Sequence, residues 1–110
     1  MVDISYQNIF NIIKPSLPEK WDSIVINAVF VQDTCEIKYL IWHGNSFTEC
    51  YNLNIDGNIL LQMLYEIQKE IAIARNSCDD LNKWSSVKIS ITSQGTFDAE
   101  FEYSTDIFKA

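Results

Sequence analysis

The stretch that decides the fold is VKISITSQGTFDAEFEY, residues 87–103, in which two alternating segments flank one glycine. Its first half alternates β-branched apolar residues with polar ones, and its second half alternates aromatic or small residues with carboxylates. Alternation with a period of two is typical of a strand with one face on the core and the other toward solvent. We therefore predict two antiparallel strands, over residues 85–92 and 96–103.

Residue parity also fixes how these two strands pair. An outward-facing residue must lie opposite another outward-facing residue, which excludes a two-residue loop. A three-residue loop over residues 93–95 fits, with Gly95 in the left-handed region. In this register Lys88 faces Glu100, a pair that stabilises a hairpin by roughly 0.2–1 kcal/mol.

The outward face of this hairpin is the candidate partner-binding surface. Its residues are Lys88, Ser90, Asp98, Glu100 and Glu102. Neighbouring carboxylates on one strand face lie about 6.5–7 Å apart, but a flat open strand offers neither a desolvated acid nor converging oxygen ligands. We therefore expect neither catalysis nor metal binding there. Two interpretations stay open: a solvated face that keeps the protein soluble, or a binding surface for a basic protein.

The rest of the chain divides into two helices and three further strands. We predict helices over 3–13 and 58–76, and strands over 23–31, 36–42 and 47–53. Asp3 is expected to cap the first helix and Pro15 to end it. Residues 23–31 are apolar on both faces except at Asn27, which predicts a central strand that is covered on both sides.

These elements predict an α+β fold in the order α-β-β-β-α-β-β. The loops are too short for crossover connections, so the strands form a five-stranded antiparallel sheet. Both helices pack on one face of that sheet. With 110 residues, the chain is long enough for one core, and we expect residues 1–110 to form a single domain.

Composition excludes several classes of function. The formal net charge of −7 repels nucleic acid phosphates and anionic lipid surfaces, and attracts cationic partners. The apolar runs are too short to span a bilayer, and the N-terminus shows no signal peptide, so we place the protein in the cytoplasm. Three cysteines and one histidine match no zinc spacing, and no phosphate loop or dinucleotide fingerprint occurs. We expect no cofactor, no metal and no enzymatic activity.

Residues 84–103 are similar to the closing hairpin of the YezG-like immunity (antitoxin) family. The matching positions are Trp84, Ser93, Gly95, Phe97, Phe101 and Tyr103, with acidic neighbours in the second strand. The N-terminal amphipathic helix, the segment PSLPEKWDSIVINAVF (15–30) with Trp21, and the long helix with Leu60 and Leu64 also resemble the family. The resemblance therefore spans most of the chain.

The resemblance implies a bacterial cytoplasmic immunity protein that binds and neutralises a cognate secreted toxin. Such toxins are frequently nucleases, and nucleases are basic because they hold phosphates. An acidic surface suits their electrostatic capture. Apart from this resemblance, a homodimer stays open. The alternative is a chaperone for a secreted effector, which is also small and acidic. An exposed apolar stripe on the first helix would favour the chaperone.

Overall fold

The computed structural model of the protein describes residues 3–32, 34–78 and 83–103. Helices and strands follow one another in the predicted order α-β-β-β-α-β-β. They are α1 (Tyr6–Ile13), β1 (Ser23–Val31), β2 (Thr34–His43), β3 (Ser46–Glu49), α2 (Gly57–Asn76), β4 (Ser86–Thr92) and β5 (Phe97–Glu102). The predicted domain limits at residues 1 and 110 lie outside the described residues.

The five strands form one antiparallel sheet in the order β3-β2-β1-β4-β5. β1 lies in the centre, as its β-branched composition predicts, and pairs along its length with both β2 and β4. The two hairpins β2–β3 and β4–β5 flank it, so that β3 and β5 are the edge strands. The predicted α+β class and five-stranded antiparallel sheet are therefore confirmed.

Both helices pack on the same face of this sheet, where they form one core with alternate residues of β1, β2 and β4. Its fully buried isoleucines and tyrosine are Ile9, Ile13, Ile24, Ile26, Tyr39, Ile67, Ile71, Ile89 and Ile91. Burial of each such aliphatic side chain contributes roughly 1.5–3 kcal/mol. The prediction that both helices share one face is confirmed.

The opposite face of the sheet, called here the open face, is not covered by any helix or strand in the described part of the chain. Val29 and Val31 of β1 point to this side and are exposed. The prediction that β1 is covered on both sides is therefore wrong. An antiparallel sheet can leave one face in water, and apolar residues alone do not specify a second layer.

The helix ends differ in part from the prediction. α1 begins at Tyr6 after Ser5, so Asp3 does not cap it. Pro15 lies in a short 3₁₀ turn that directly follows α1, where its missing N–H costs little. Asp56 caps α2, since its carboxylate accepts the backbone N–H of Asn58 at 2.9 Å. No helix in the described ranges is long and apolar enough to cross a membrane.

The strand β3 is shorter than predicted, which changes the edge of the sheet. It ends at Glu49, and Cys50–Asn52 form a 3₁₀ turn instead of continuing to residue 53. The Cys50 side chain is fully buried in this turn. As a result, β3 pairs only with the second half of β2.

The aromatic residues of β5 lie on the predicted face but are less buried than expected. Phe97 stacks on Tyr6 and Phe101 packs on Trp84, yet the two phenylalanines are 43% and 40% exposed. β5 is an edge strand at the margin of the helical layer, so only one side of each ring is covered. Trp84 itself is buried, because it contacts Phe30 from the other side.

Candidate partner-binding surface

The three carboxylates of β5 form one exposed row on the open face. Asp98, Glu100 and Glu102 alternate with the core-facing positions of the strand, and all three are exposed. Side chains two residues apart on a strand lie about 6.5–7 Å from one another. The structure thus brings the predicted acidic residues together, while their role as an interface stays a prediction.

Lys88 and Ser90 join this row through the register of the hairpin. Asp98 lies opposite Ser90, and Glu100 lies opposite Lys88, as parity predicts. The loop has the expected three residues, and Gly95 takes a φ of +88°. All five predicted site residues therefore lie on one continuous surface of β4 and β5.

The carboxylates of this row keep most of their acceptor capacity. Lys88 and Glu100 are cross-strand neighbours, but they form no ion pair within 4.0 Å in the described part of the chain. The Glu102 carboxylate accepts a long hydrogen bond of 3.5 Å from the Ser86 hydroxyl. Unpaired carboxylate oxygens are strong acceptors for the charged donors of arginine and lysine.

A shallow groove of about 250 Å³ runs beside the acidic row, across β1, β4 and β5. Its side chains on the open face are Asn27, Val29, Ser86, Lys88, Glu100 and Glu102. The groove therefore combines an apolar floor with an amide, a hydroxyl and charges of both signs. A side chain of a partner protein can enter this groove, whereas the flat acidic row alone can be contacted only at its surface.

Further charged residues on the open face were missed by the sequence analysis. Strand pairing places Glu36, Lys38 and Glu49 on the same side as the acidic row. Lys38 and Glu49 form an ion pair at 3.7 Å, which leaves Glu36 without a cation among the described residues. The alternation in EIKY (36–39) indicates that Glu36 and Lys38 share one strand face. Only the order of the strands in the sheet shows that this face is the one that carries the β5 carboxylates.

An apolar area completes the open face at its other end. Trp42 of β2 and Phe47 of β3 are cross-strand neighbours with ring centroids 5.0 Å apart, and Phe47 is exposed. Leu40 and Val25 continue this area toward β1. Protein interfaces are rich in aromatic residues within a polar surround, so this face has the composition of a contact surface.

The thiols and the histidine offer no reactive group at this surface. Cys50 is fully buried, and this burial raises the pKa of its thiol above the ordinary value of 9.0. Such a thiol stays protonated and is a poor nucleophile. His43 is exposed at the end of β2. Among the described residues, no group of three histidine, cysteine or acidic side chains is placed to hold a metal ion.

Comparison with known proteins gives one similarity of note. The chain is 24% identical over 106 residues to Immunity protein YezG of Bacillus spizizenii, and the match covers 89% of this chain. The resemblance to the YezG-like immunity family is confirmed as a distant similarity. The chain spans 66% of the length of that relative. No family model matches the chain.

Proposed function

We propose that this protein is an immunity protein that binds a cognate toxin through the open face of its sheet and neutralises it without catalysis. The observation that carries the proposal is the exposed row of Asp98, Glu100 and Glu102, which lacks cationic partners within ion-pair distance among the described residues. Like charges held side by side oppose folding. A partner that supplies cations at these positions relieves their repulsion.

The toxin that suits this surface is a basic nuclease. An enzyme that holds phosphates presents lysine and arginine side chains around its active site. Five carboxylates and two lysines face the open side of the sheet among the described residues, and the formal net charge of the chain is −7. Charge complementarity of this kind raises the association rate and disfavours wrong partners. The cytoplasm, where such a nuclease would find nucleic acid, is the place of action.

The chaperone alternative gains no support from the first helix. The apolar residues of α1 pack against the core: Ile9 and Ile13 are fully buried, and Tyr6 and Phe10 are half-buried. The exposed residues of this helix are polar. An effector chaperone of the expected type needs an apolar stripe that is free to bind an unfolded segment.

Co-expression tests the proposal most directly. The gene next to that of an immunity protein is expected to encode its toxin, so that neighbouring protein is expressed with and without this chain. We expect growth arrest by the neighbouring protein alone and restored growth in the presence of this chain. A chain with Ile67→Asp, which places a charge in the core, serves as the unfolded control and is expected not to rescue. Growth arrest that persists with the folded chain would contradict the proposal.

The nuclease assignment has its own test in purified components. The neighbouring protein is incubated with plasmid DNA and with total RNA, and cleavage is followed on a gel at increasing concentrations of this chain. We expect cleavage of one substrate and its loss at an equimolar ratio. A neighbouring protein that arrests growth but cleaves neither substrate would exclude the nuclease and leave the antitoxin role intact.

A further inference from the structure

Among the described residues, more than half of strand β2 has no neighbouring strand on its outer side. β3 pairs only with residues 40–43 of β2, and the chain then turns away at Cys50–Asn52. Residues 34–39 pair with β1 on one side, and on the other side they lack a strand within the described ranges of the chain. This segment is called here the free half of β2.

The backbone groups of the free half face β1 and the open edge in alternation. Phe30 donates its N–H to the carbonyl of the residue that precedes β4, at 2.7 Å, so its backbone faces β4. By alternation, the backbone of Val29 faces β2, where Val29 pairs with Glu36. The backbone groups of Glu36 are thus turned toward β1, and those of Cys35 and Ile37 point to the open edge. An exposed strand edge of this kind accepts a further strand.

A groove of about 600 Å³ runs along this edge and gives the free half of β2 a side wall. The wall is formed by Tyr51 after β3 and by α2, which contributes Leu61, Leu64, Tyr65 and Gln68. Leu61 is 66% exposed and Tyr65 is 56% exposed. These are large apolar side chains in water directly beside unpaired backbone groups, the combination that strand-accepting sites use.

We propose that the free half of β2 binds an extended segment of the toxin as an added antiparallel or parallel strand. This inference rests on the proposed immunity function and adds the mode of binding. The main chain of the added strand bonds to Cys35 and Ile37, and its alternate side chains lie on Leu61 and Tyr65. Lys38 is already neutralised by Glu49, so Glu36 is the unmatched charge among the described residues of this edge. The segment therefore carries an apolar residue toward α2 and a lysine or arginine opposite Glu36.

One row of paired residues crosses the open face from the free half of β2 to the acidic row. Asn27 and Val29 of β1 contribute to the lining of both grooves. Glu36 and Glu102 stand in the same row across the sheet, three strand spacings apart, which is about 14 Å. A typical interface covers about 800 Å² on each partner. One basic toxin can therefore contact the carboxylates and add a strand at the same time.

The matched pair Leu61→Lys and Ile59→Lys tests this mode of binding. Both residues lie on α2 with similar exposure, and both variants add the same charge, but only Leu61 lines the groove. Affinity for the toxin encoded by the neighbouring gene is measured by calorimetry. We expect Leu61→Lys to weaken binding at least tenfold and Ile59→Lys to change it less than twofold.

Hydrogen exchange identifies the strand itself. In the complex we expect slower exchange of the Cys35 and Ile37 amides, which face the open edge, and little change at Glu36 and Lys38, which already face β1. If the toxin binds tightly, both lysine variants affect binding equally and the Cys35 and Ile37 amides are not protected, the inference is overturned. The immunity function is then left standing. A free protein that sediments as a dimer, and as a monomer after Leu61→Lys, also overturns it, because a second copy then fills the groove. Failure of the unaltered chain to bind any neighbouring toxin rejects the proposed function itself.

Discussion

Phe97 of β5 stacks on Tyr6 of α1, with ring centroids 5.4 Å apart and ring planes at 27°. The contact joins the outermost strand of the sheet to the first helix across the margin of the core. Phe101 makes the corresponding contact with Trp84 at 5.0 Å. These two rings attach β5 from the core side, opposite the face that carries the acidic row.

Replacing Phe97 by alanine should therefore destabilise the protein by about 1–2 kcal/mol, since it removes a ring stack and part of a buried apolar area. Urea unfolding followed by tryptophan fluorescence measures the change. Tyr51→Ala is the matched control, because Tyr51 is more exposed and makes no ring contact among the described residues. An equal loss in both variants would show that the stack does not anchor β5.

The hairpin loop gives a second prediction, through a pair of glycines. Gly95 has a φ of +88°, whereas Gly57 opens α2 without a positive φ, and an added Cβ meets no atom within 4 Å at either position. Only backbone conformation thus distinguishes them. We expect Gly95→Ala to lower the free energy of unfolding by about 1–2 kcal/mol and Gly57→Ala to leave it unchanged or raise it by about 0.5–1 kcal/mol. Thermal unfolding of both variants measures these changes. A Gly95→Ala protein as stable as the unaltered chain would contradict the prediction.

The sequence predicted what local periodicity determines. Alternation in residues 87–103 was enough to place Asp98 opposite Ser90 and Glu100 opposite Lys88, since a shift by one residue would have turned every core residue to the open face. The same reasoning could not join Glu36 to this surface. Glu36 and Glu102 share a row only because β1 and β4 lie between their strands, and strand order is a tertiary property.

The errors have the same origin in tertiary structure. Residues 47–53 have a strand-like composition, but the chain leaves the strand after Glu49 and turns over Cys50–Asn52. Phe97 and Phe101 were expected to be buried, and their partial exposure depends on how far the helical layer extends. Neither fact is encoded in a local pattern.

Stability should decrease in alkaline solution, and Tyr39 provides the test. Burial of Tyr39 raises the pKa of its phenol above the ordinary value of 10.0, although the Ser16 hydroxyl, 3.0 Å away, partly opposes this. The unfolded chain therefore loses its proton first, so that the free energy of unfolding falls as the pH rises from the unfolded pKa toward the raised folded pKa. We expect Tyr39→Phe to be less stable by about 0.5–1.5 kcal/mol at pH 7, because a hydrogen bond is lost, and to show a shallower alkaline decline. Urea unfolding between pH 7 and pH 11 measures both, and an unchanged slope would contradict this assignment.

The acidic row should control how fast the toxin is captured. We expect Glu100→Lys together with Glu102→Lys to lower the association rate about tenfold or more at low salt, with a smaller effect on dissociation, because steering acts on the encounter. Stability should change by less than about 0.5 kcal/mol, since both side chains are exposed. Stopped-flow fluorescence with the toxin of the neighbouring gene gives the rates.

A matched double variant separates local from overall charge in this experiment. Glu19→Lys together with Glu66→Lys changes the net charge by the same amount at exposed positions outside the open face. At an ionic strength of 0.1 M, charges more than about 10 Å from the contact are largely screened. As salt is added, the association rate of the control variant should therefore return to that of the unaltered chain. The acidic-row variant should still associate more slowly. If both variants slow association equally at every salt concentration, net charge alone attracts the toxin and Asp98, Glu100 and Glu102 do not form its binding site.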